Sequence, residues 1–211
     1  MSLKVNEIFY SIQGESSYAG LPCVFVRLTG CNLRCSYCDT EYAYDTGNEM
    51  EVGEIVNRVN SFNCSLVEIT GGEPLIQQET PVLVSELLKY KKVLLETNGS
   101  CDISKVDKNC VRIVDIKCPS SGEVDEKALT NLDELTEKDE LKFVIGDKQD
   151  YEYAKGVLDN NGIKINHIHF SPNFNVLNPV ELAEWILKDN LRVHLQLQLH
   201  KIIWDPNKRG V

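Results

Sequence analysis

Apolar and polar positions along the chain fall into two repeating periods. Short runs rich in Val, Ile, Leu and Phe occur at Pro22–Thr29, Leu66–Thr70, Lys92–Glu96, Val111–Ile116, Leu141–Ile145 and His167–Phe170, and runs of this length and character predict buried strands. Weak alternation over residues 3–9 predicts a short opening strand, and Leu191–Leu199 (LRVHLQLQL) alternates at period two like a half-buried strand. Helical spacing fills the gaps. Residues 51–60 place Val52, Ile55, Val56 and Val59 on one face, and residues 79–90 begin with Thr80 as cap and Pro81 in the first turn. Further helical stretches are expected near Glu126–Leu135, over Asp150–Asp159, and over Pro179–Lys188, where Leu182, Trp185 and Ile186 share a face. Strand–helix alternation of this kind implies a parallel sheet with right-handed crossovers. About six βα units are too few to close an eight-strand barrel. The expected fold is therefore α/β: one domain over residues 1–211, a partial, open (β/α)6-type barrel with shortened helices. Its site should lie at the C-terminal ends of the strands.

The unusual loops sit at those ends, after residues 30, 70, 96, 116 and 170. Gly30–Thr40 holds Cys31, Cys35 and Cys38 in a C-x3-C-x2-C spacing. Three thiolates on one short loop suit three irons of a cubane and leave the fourth iron free to bind something else. Structural zinc, the competing metal, prefers four closed ligands in two spaced pairs and would here need its fourth from a distant Cys or His. The next strand ends in Gly71-Gly72-Glu73-Pro74, where two glycines permit close approach to the backbone. Tyr10–Ser17 is polar and glycine-containing and reads as a loop. Arg27 interrupts an apolar run, and a buried guanidinium requires an anionic partner. A structural carboxylate and a substrate carboxylate held bidentately satisfy that requirement equally well.

Composition narrows the class. Apolar content of 42% and charged content of 26% are ordinary for a globular chain, and 211 residues suffice for one well-buried core. A net charge of −10 argues against a nucleic-acid backbone as the main partner, although a local Arg or Lys can still bind a small anion. The start MSLKVNEIFYSIQGE has no apolar signal core, and no run approaches the ~18 apolar residues of a membrane span. A cytoplasmic setting with eight reduced cysteines is expected. Cys23, Cys64 and Cys110 read as small buried hydrophobes, His167, His169 and His194 as structural, and the acidic stretch 123–140 as a solvated helix and loop.

The three-cysteine loop, with Tyr37 just before its last cysteine, resembles the radical S-adenosylmethionine (SAM) superfamily, and G-G-E-P about thirty residues on resembles its SAM-binding segment. Taken together and in order, S-I-Q-G-E, V-F-V-R-L-T-G, C-D-T, T-G-G-E-P, E-T-N-G and Q-L-H-K-I-I-W…R-G-V are similar to the 7-carboxy-7-deazaguanine synthase family across the whole chain. The resemblance implies a carbon–nitrogen lyase of queuosine and deazapurine biosynthesis. Such an enzyme uses a [4Fe-4S] cluster, SAM and Mg²⁺ to contract 6-carboxy-5,6,7,8-tetrahydropterin to 7-carboxy-7-deazaguanine with loss of ammonia. A homodimer and an electron donor such as flavodoxin or ferredoxin are further implications. Residue by residue, the resemblance assigns Cys31, Cys35 and Cys38 to the cluster and Thr40 to Mg²⁺. Tyr37, Cys38, Asp39, Gly72, Glu73, Lys117, Cys118, Pro119, Ser171, Pro172 and Asn173 fall to SAM. Ile12, Gln13, Gly14, Glu15, Arg27, Thr70, His200 and the terminal Val211 fall to the substrate. The rival readings are a glycyl-radical-enzyme activase, which would act on a protein partner, and a non-catalytic iron–sulfur electron carrier.

Overall fold

The apolar runs pair edge to edge into a single curved sheet. The computed structural model describes residues 1–163 and 165–211. Its strands are β1 (Ser2–Ile12), β2 (Pro22–Leu28), β3 (Asn48–Glu51), β4 (Leu66–Gly71), β5 (Lys92–Thr97), β6 (Val111–Asp115), β7 (Glu140–Ile145), β8 (His167–Pro172) and β9 (His194–Leu195). They lie in the order β3-β1-β2-β4-β5-β6-β7-β8-β9. From β2 to β9 every neighbouring pair is parallel, whereas β1 runs antiparallel to both β2 and β3. The helices are α1 (Val52–Asn60), α2 (Thr80–Leu88), α3 (Lys148–Asn160), α4 (Pro179–Lys188) and the short α5 (His200–Ile203). Only 3-10 turns join β5 to β6 and β6 to β7, so the helical layer is shortened there.

Period two divides each parallel strand between two environments. Val24, Val26 and Leu28 of β2, Val67 and Ile69 of β4, and Val93 and Leu95 of β5 pack outward against Ile55, Val59, Leu83 and Leu87 of α1 and α2. On the other half, Leu141, Phe143 and Ile145 of β7 and Phe170 of β8 pack against Tyr151, Ala154, Leu182 and Ile186 of α3 and α4. The intervening positions face the concave side. Cys23, Phe25, Leu66, Leu94, Val111 and Ile113 make a separate apolar floor there.

Several elements differ from the sequence reading. Pairing of β1 with β2 continues to Ile12↔Pro22, so Tyr10–Ile12, expected in a loop, are strand. The polar Asn48–Glu51 carries no strand pattern, yet it pairs with Ser2–Val5 as the sheet's edge. Glu126–Glu134 is a 3-10 helix capped by Asp125. The period-two stretch 191–199 contributes only His194 and Leu195 as strand. Beyond them, Gln196 N donates to Phe170 O while its side-chain amide leaves the sheet for Ser16 O. The acidic segment 123–140 is not wholly solvated either. Its last two residues, Asp139 and Glu140, are fully buried, Asp139 against Arg112 at 2.5 Å and Glu140 against His169 at 2.7 Å.

Candidate active site

At the C-terminal ends of the strands, the concave face turns from apolar to charged. One or two positions beyond the floor, Arg27 (β2), Glu68 and Thr70 (β4), Glu96 (β5), Asp115 (β6) and Lys142 (β7) line a cavity of about 810 Å³. Arg27 is held from one side only. Its Nε donates to Glu7 Oε1 at 2.8 Å across the β1–β2 pair, and Tyr42 donates its hydroxyl to the same oxygen at 3.0 Å. The Phe9 and Tyr42 rings lie 5.7 and 5.8 Å from the guanidinium carbon. Among the described residues, its two terminal nitrogens make no hydrogen bond, although the side chain is only 16% exposed. Glu7 thus supplies a structural carboxylate, and the two terminal nitrogens are left unpaired among those residues, on a side chain that lines the cavity.

Further round the barrel, one ammonium serves several carboxylates. Lys142 Nζ is 2.9 Å from Glu96 Oε1 and also pairs with Glu15 Oε2. Burial alone would raise the Glu15 carboxyl, but Lys142 and His200 bring it down to about 2. Glu68 has no ion-pair partner among the described residues. Burial, then the neighbouring Glu96, push its carboxyl well above the usual range, opposed in part by the Gln13 amide that donates to it. Gln13 itself is 3% exposed, and its side-chain oxygen accepts from Glu15 N at 3.1 Å. Its backbone bonds to Leu21 and Gly20, so Gln13 braces its loop from inside.

The three-cysteine loop forms the opposite rim. Cys31, Cys35 and Cys38 are free, half-buried, and all line the cavity. Burial raises the Cys31 and Cys35 thiols, with Lys117 acting against it. No three His, Cys, Asp or Glu side chains converge on a point that one metal ion could occupy, among the described residues. Spread thiols still fit a cubane, because each binds a separate iron. Neighbouring loops hold this rim in place: Asn98 Nδ2 donates to Asn32 Oδ1 at 3.2 Å, and Ser36 N and Oγ donate to Ser121 O and Ser120 O at 2.9 and 2.7 Å. Gly72 must be glycine here, since a Cβ would stand 2.2 Å from Gly30 O and 2.6 Å from Cys31 Cβ. The close approach that the glycine permits is that of the cysteine loop itself.

Comparison with known proteins agrees with this geometry. The Radical SAM superfamily signature matches residues 25–186. A 7-carboxy-7-deazaguanine synthase of Koribacter versatilis is 45% identical over 99% of this chain and 100% of its own length. That of Chlorobaculum tepidum is 48% identical over 99% of this chain and 97% of its own. The chain belongs to the radical SAM superfamily, in the 7-carboxy-7-deazaguanine synthase family. It is an enzyme of that class. The fold is also that of a structure described as QueE from Escherichia coli, with a TM-score of 0.74 at 24% identity, covering 93% of this chain and 94% of that one.

Of the residues that the family resemblance singles out, most come together. Ile12, Gln13, Gly14, Glu15, Arg27, Thr70, His200 and Val211 line the cavity with Tyr37, Cys38, Asp39, Thr40, Gly72, Lys117 and Asn173. Glu73, Cys118, Pro119, Ser171 and Pro172 do not line it. Glu73 is fully buried; its carboxylate accepts from Leu75 N, Thr97 Oγ1 and Asn98 N at 2.7–2.9 Å, which locks two strand-end loops together. Cys118 packs into the outer core, and Ser171 Oγ donates to Gln196 O at 2.8 Å. Asp39 pairs with Lys201 at 2.6 Å and accepts from Thr40 Oγ1 at 3.0 Å. The sequence reading missed Glu7, Glu68, Glu96, Asp115, Lys142 and Lys201. The last five line the cavity, and Glu68, Glu96, Asp115 and Lys142 each interrupt an apolar strand, the same signal that drew attention to Arg27. Two polar atoms there have no partner among the described residues, Tyr37 Oη and Asp115 Oδ1, and both belong to cavity-lining side chains.

Proposed function

We propose that the enzyme converts 6-carboxy-5,6,7,8-tetrahydropterin to 7-carboxy-7-deazaguanine and ammonia, the reaction implied by the names of its relatives. The observation that carries this reading is Arg27, anchored by Glu7 with its fork free, in one cavity with the carboxylates of Glu68 and Glu96. A guanidinium fork suits the substrate's carboxylate, and carboxylates suit the N–H-rich edge of a pterin. Cys31, Cys35 and Cys38 would hold a [4Fe-4S] cluster, and the backbone at Gly72 with Tyr37, Asp39, Lys117 and Asn173 would hold SAM. Bound together, cluster and SAM supply one-electron cleavage and hydrogen abstraction. The chain's own residues orient the substrate and keep water out: the apolar floor below, and the segment from His200 to Val211 above. Thr40 Oγ, half-buried and beside the Asp39 carboxylate, is an oxygen donor of the hard type that Mg²⁺ prefers. We further propose a homodimer acting in the cytoplasm on a small molecule, without nucleic acid, and reduced by a flavodoxin or ferredoxin. No helix among the described residues is long and apolar enough to cross a membrane.

Anaerobic reconstitution with iron and sulfide, then incubation with SAM, dithionite, Mg²⁺ and carboxytetrahydropterin, tests the reading by mass spectrometry of the product. SAM cleavage without deazaguanine product would favour another substrate, such as an activase's protein partner. No SAM cleavage at all would leave an electron carrier. Arg27→Ala should keep cluster absorbance and SAM binding while weakening substrate binding about 10- to 100-fold, the loss of a charge-assisted pair. Unchanged substrate affinity in that variant would remove the carboxylate role. Omitting Mg²⁺ should lower turnover in the parent enzyme more than in Thr40→Ala.

A further inference from the structure

The concave floor is apolar beneath β2 to β6 but polar toward the β7–β9 edge of the sheet. Four titratable side chains gather there, with the His167 ring 6.4 Å from His169 and 5.7 Å from His194. Glu140 of β7 is fully buried, its Oε2 is 2.7 Å from His169 Nε2 of β8, and His194 lies beside His169 at a ring separation of 5.2 Å. None of these residues lines the cavity. What they meet is the loop that follows β1. Ser17 N donates to Glu140 Oε2 at 2.9 Å, and Ser17 Oγ donates to Glu140 Oε1 at 2.5 Å. Both oxygens of a buried carboxylate are therefore spent on one exposed serine, 123 residues away in sequence.

The residue before that serine explains why such a grip is needed. Ser16 is buried and has a φ of 63°, in the left-handed region that a non-glycine residue occupies only when its surroundings impose it. Gln196 Nε2 holds the Ser16 carbonyl from below at 3.0 Å, and the next two residues upstream, Glu15 and Gly14, are those that meet Lys142 and His200. Within the turn, Ala19 N also donates to the Ser16 carbonyl and Tyr18 N to its hydroxyl, both at 3.2 Å, while the Ser17 and Gln196 contacts are what tie the turn to the barrel.

We infer that Glu140, oriented by His169, is a positioning residue: through Ser17 it clamps the strained Ser16 and so sets loop 13–17 against the substrate cavity. That the loop serves substrate rests on the function proposed above; that it is clamped rests on the geometry alone. His169 suits the task, since its Nε2 lies 2.7 Å from Glu140 Oε2 and its Nδ1 is buried without a partner among the described residues. Its other ring neighbours are His167 and His194, at 6.4 and 5.2 Å.

The test compares full-length, reconstituted Ser17→Ala, Ser17→Thr and Glu140→Ala proteins with the parent. Hydrogen–deuterium exchange at residues 13–21, measured without substrate, should quicken about tenfold or more in Ser17→Ala and Glu140→Ala and return to the parent rate in Ser17→Thr. KM for carboxytetrahydropterin should rise about threefold in Ser17→Ala and about tenfold in Glu140→Ala, with kcat and substrate-free SAM cleavage within about twofold of the parent. Ser17 is exposed, so its variants fold even if the loss of buried Glu140 disturbs the sheet. Parent-like exchange at 13–21 in Ser17→Ala overturns the clamp, as does exchange that quickens equally through β7 and β8. If the parent does not turn over this pterin, the proposed function fails, and exchange alone still decides the clamp.

Discussion

Glu68 is a carboxylate placed where ionisation is costly. It is 4% exposed and lies beside Glu96, and Lys142, which acts on it from nearby, pairs with Glu15 and Glu96 instead. Its folded pKa is raised above the unfolded value of about 4.3. The cost of holding the anion is therefore fully present above the folded pKa, shrinks as pH falls through it, and vanishes below the unfolded value. Glu68→Gln keeps an oxygen for Gln13 and should stabilise the protein more at pH 8 than at pH 5, by about 1.4 kcal/mol for each unit of the raised pKa, and so raise the melting temperature more at pH 8. Equal shifts at both pH values, in thermal melts of the ligand-free protein, would mean that the group ionises without penalty. Legibility at this scale was uneven. Arg27 was visible because a cation stands out in an apolar run, and Lys142 and Glu68 stand out in the same way. Their pairing is what the sequence conceals: Glu15 and Lys142 are 127 residues apart and meet only when loop and barrel close.

Among elements, β6 and β7 are joined by a buried ion pair as well as by their backbone. Arg112 Nη2 lies 2.5 Å from Asp139 Oδ2 and 2.6 Å from Glu134 O, while Arg112 N, Thr136 N and Thr136 Oγ1 also donate to the Asp139 carboxylate. Removing one partner strands the other charge in the core, so Asp139→Ala should cost about 3–5 kcal/mol in urea unfolding. The double change Arg112→Met with Asp139→Leu should cost less than the single one, because no charge is left unpaired. The acidic stretch 123–140 looked solvated because charge density within one segment says nothing about cations waiting elsewhere. In residues 191–199 the alternation was real, but of its polar positions Gln196 and Gln198 turn toward the Ser16 loop and Glu15, while Arg192 and His194 stay exposed. The pairing of β1 with β2 extended further than its weak pattern suggested, since an antiparallel ladder grows as long as both strands supply backbone groups.

At the scale of the molecule, an open barrel leaves a gap that must be covered if a reactive species is to be kept from water. Here the cover is assembled from the chain's two ends. Leu199 N donates to Gly14 O, Gln198 Nε2 donates to Glu15 Oε1 at 2.8 Å, and Lys201 reaches Asp39 on the cysteine loop. The tail then lays Arg209 over the Tyr42 ring at 3.8 Å, above the aromatic support of Arg27. Truncation after Trp204 removes mostly exposed residues and should leave the melting temperature within about 2 °C of the parent. It should raise KM for substrate about tenfold and increase SAM cleavage uncoupled from product. A truncated enzyme with parent KM and coupling would show that the tail is not a wall of the site.

Local order decided the rest. Strand and helix periods, the order of βα units and the three-cysteine loop follow from spacings of a few residues, because period two and period 3.6 are properties of the backbone that side chains need only respect. The cubane-ready spacing of Cys31, Cys35 and Cys38 is likewise written within eight positions. The charged crown, the internal bracing by Gln13 and Glu73, and the clamp from Glu140 to Ser17 are of another kind. Their deciding contacts join groups 20 to 127 residues apart in sequence, brought within hydrogen-bonding distance by the curvature of the sheet. A buried polar group needs some partner, but which one it finds is set by the three-dimensional path of the chain.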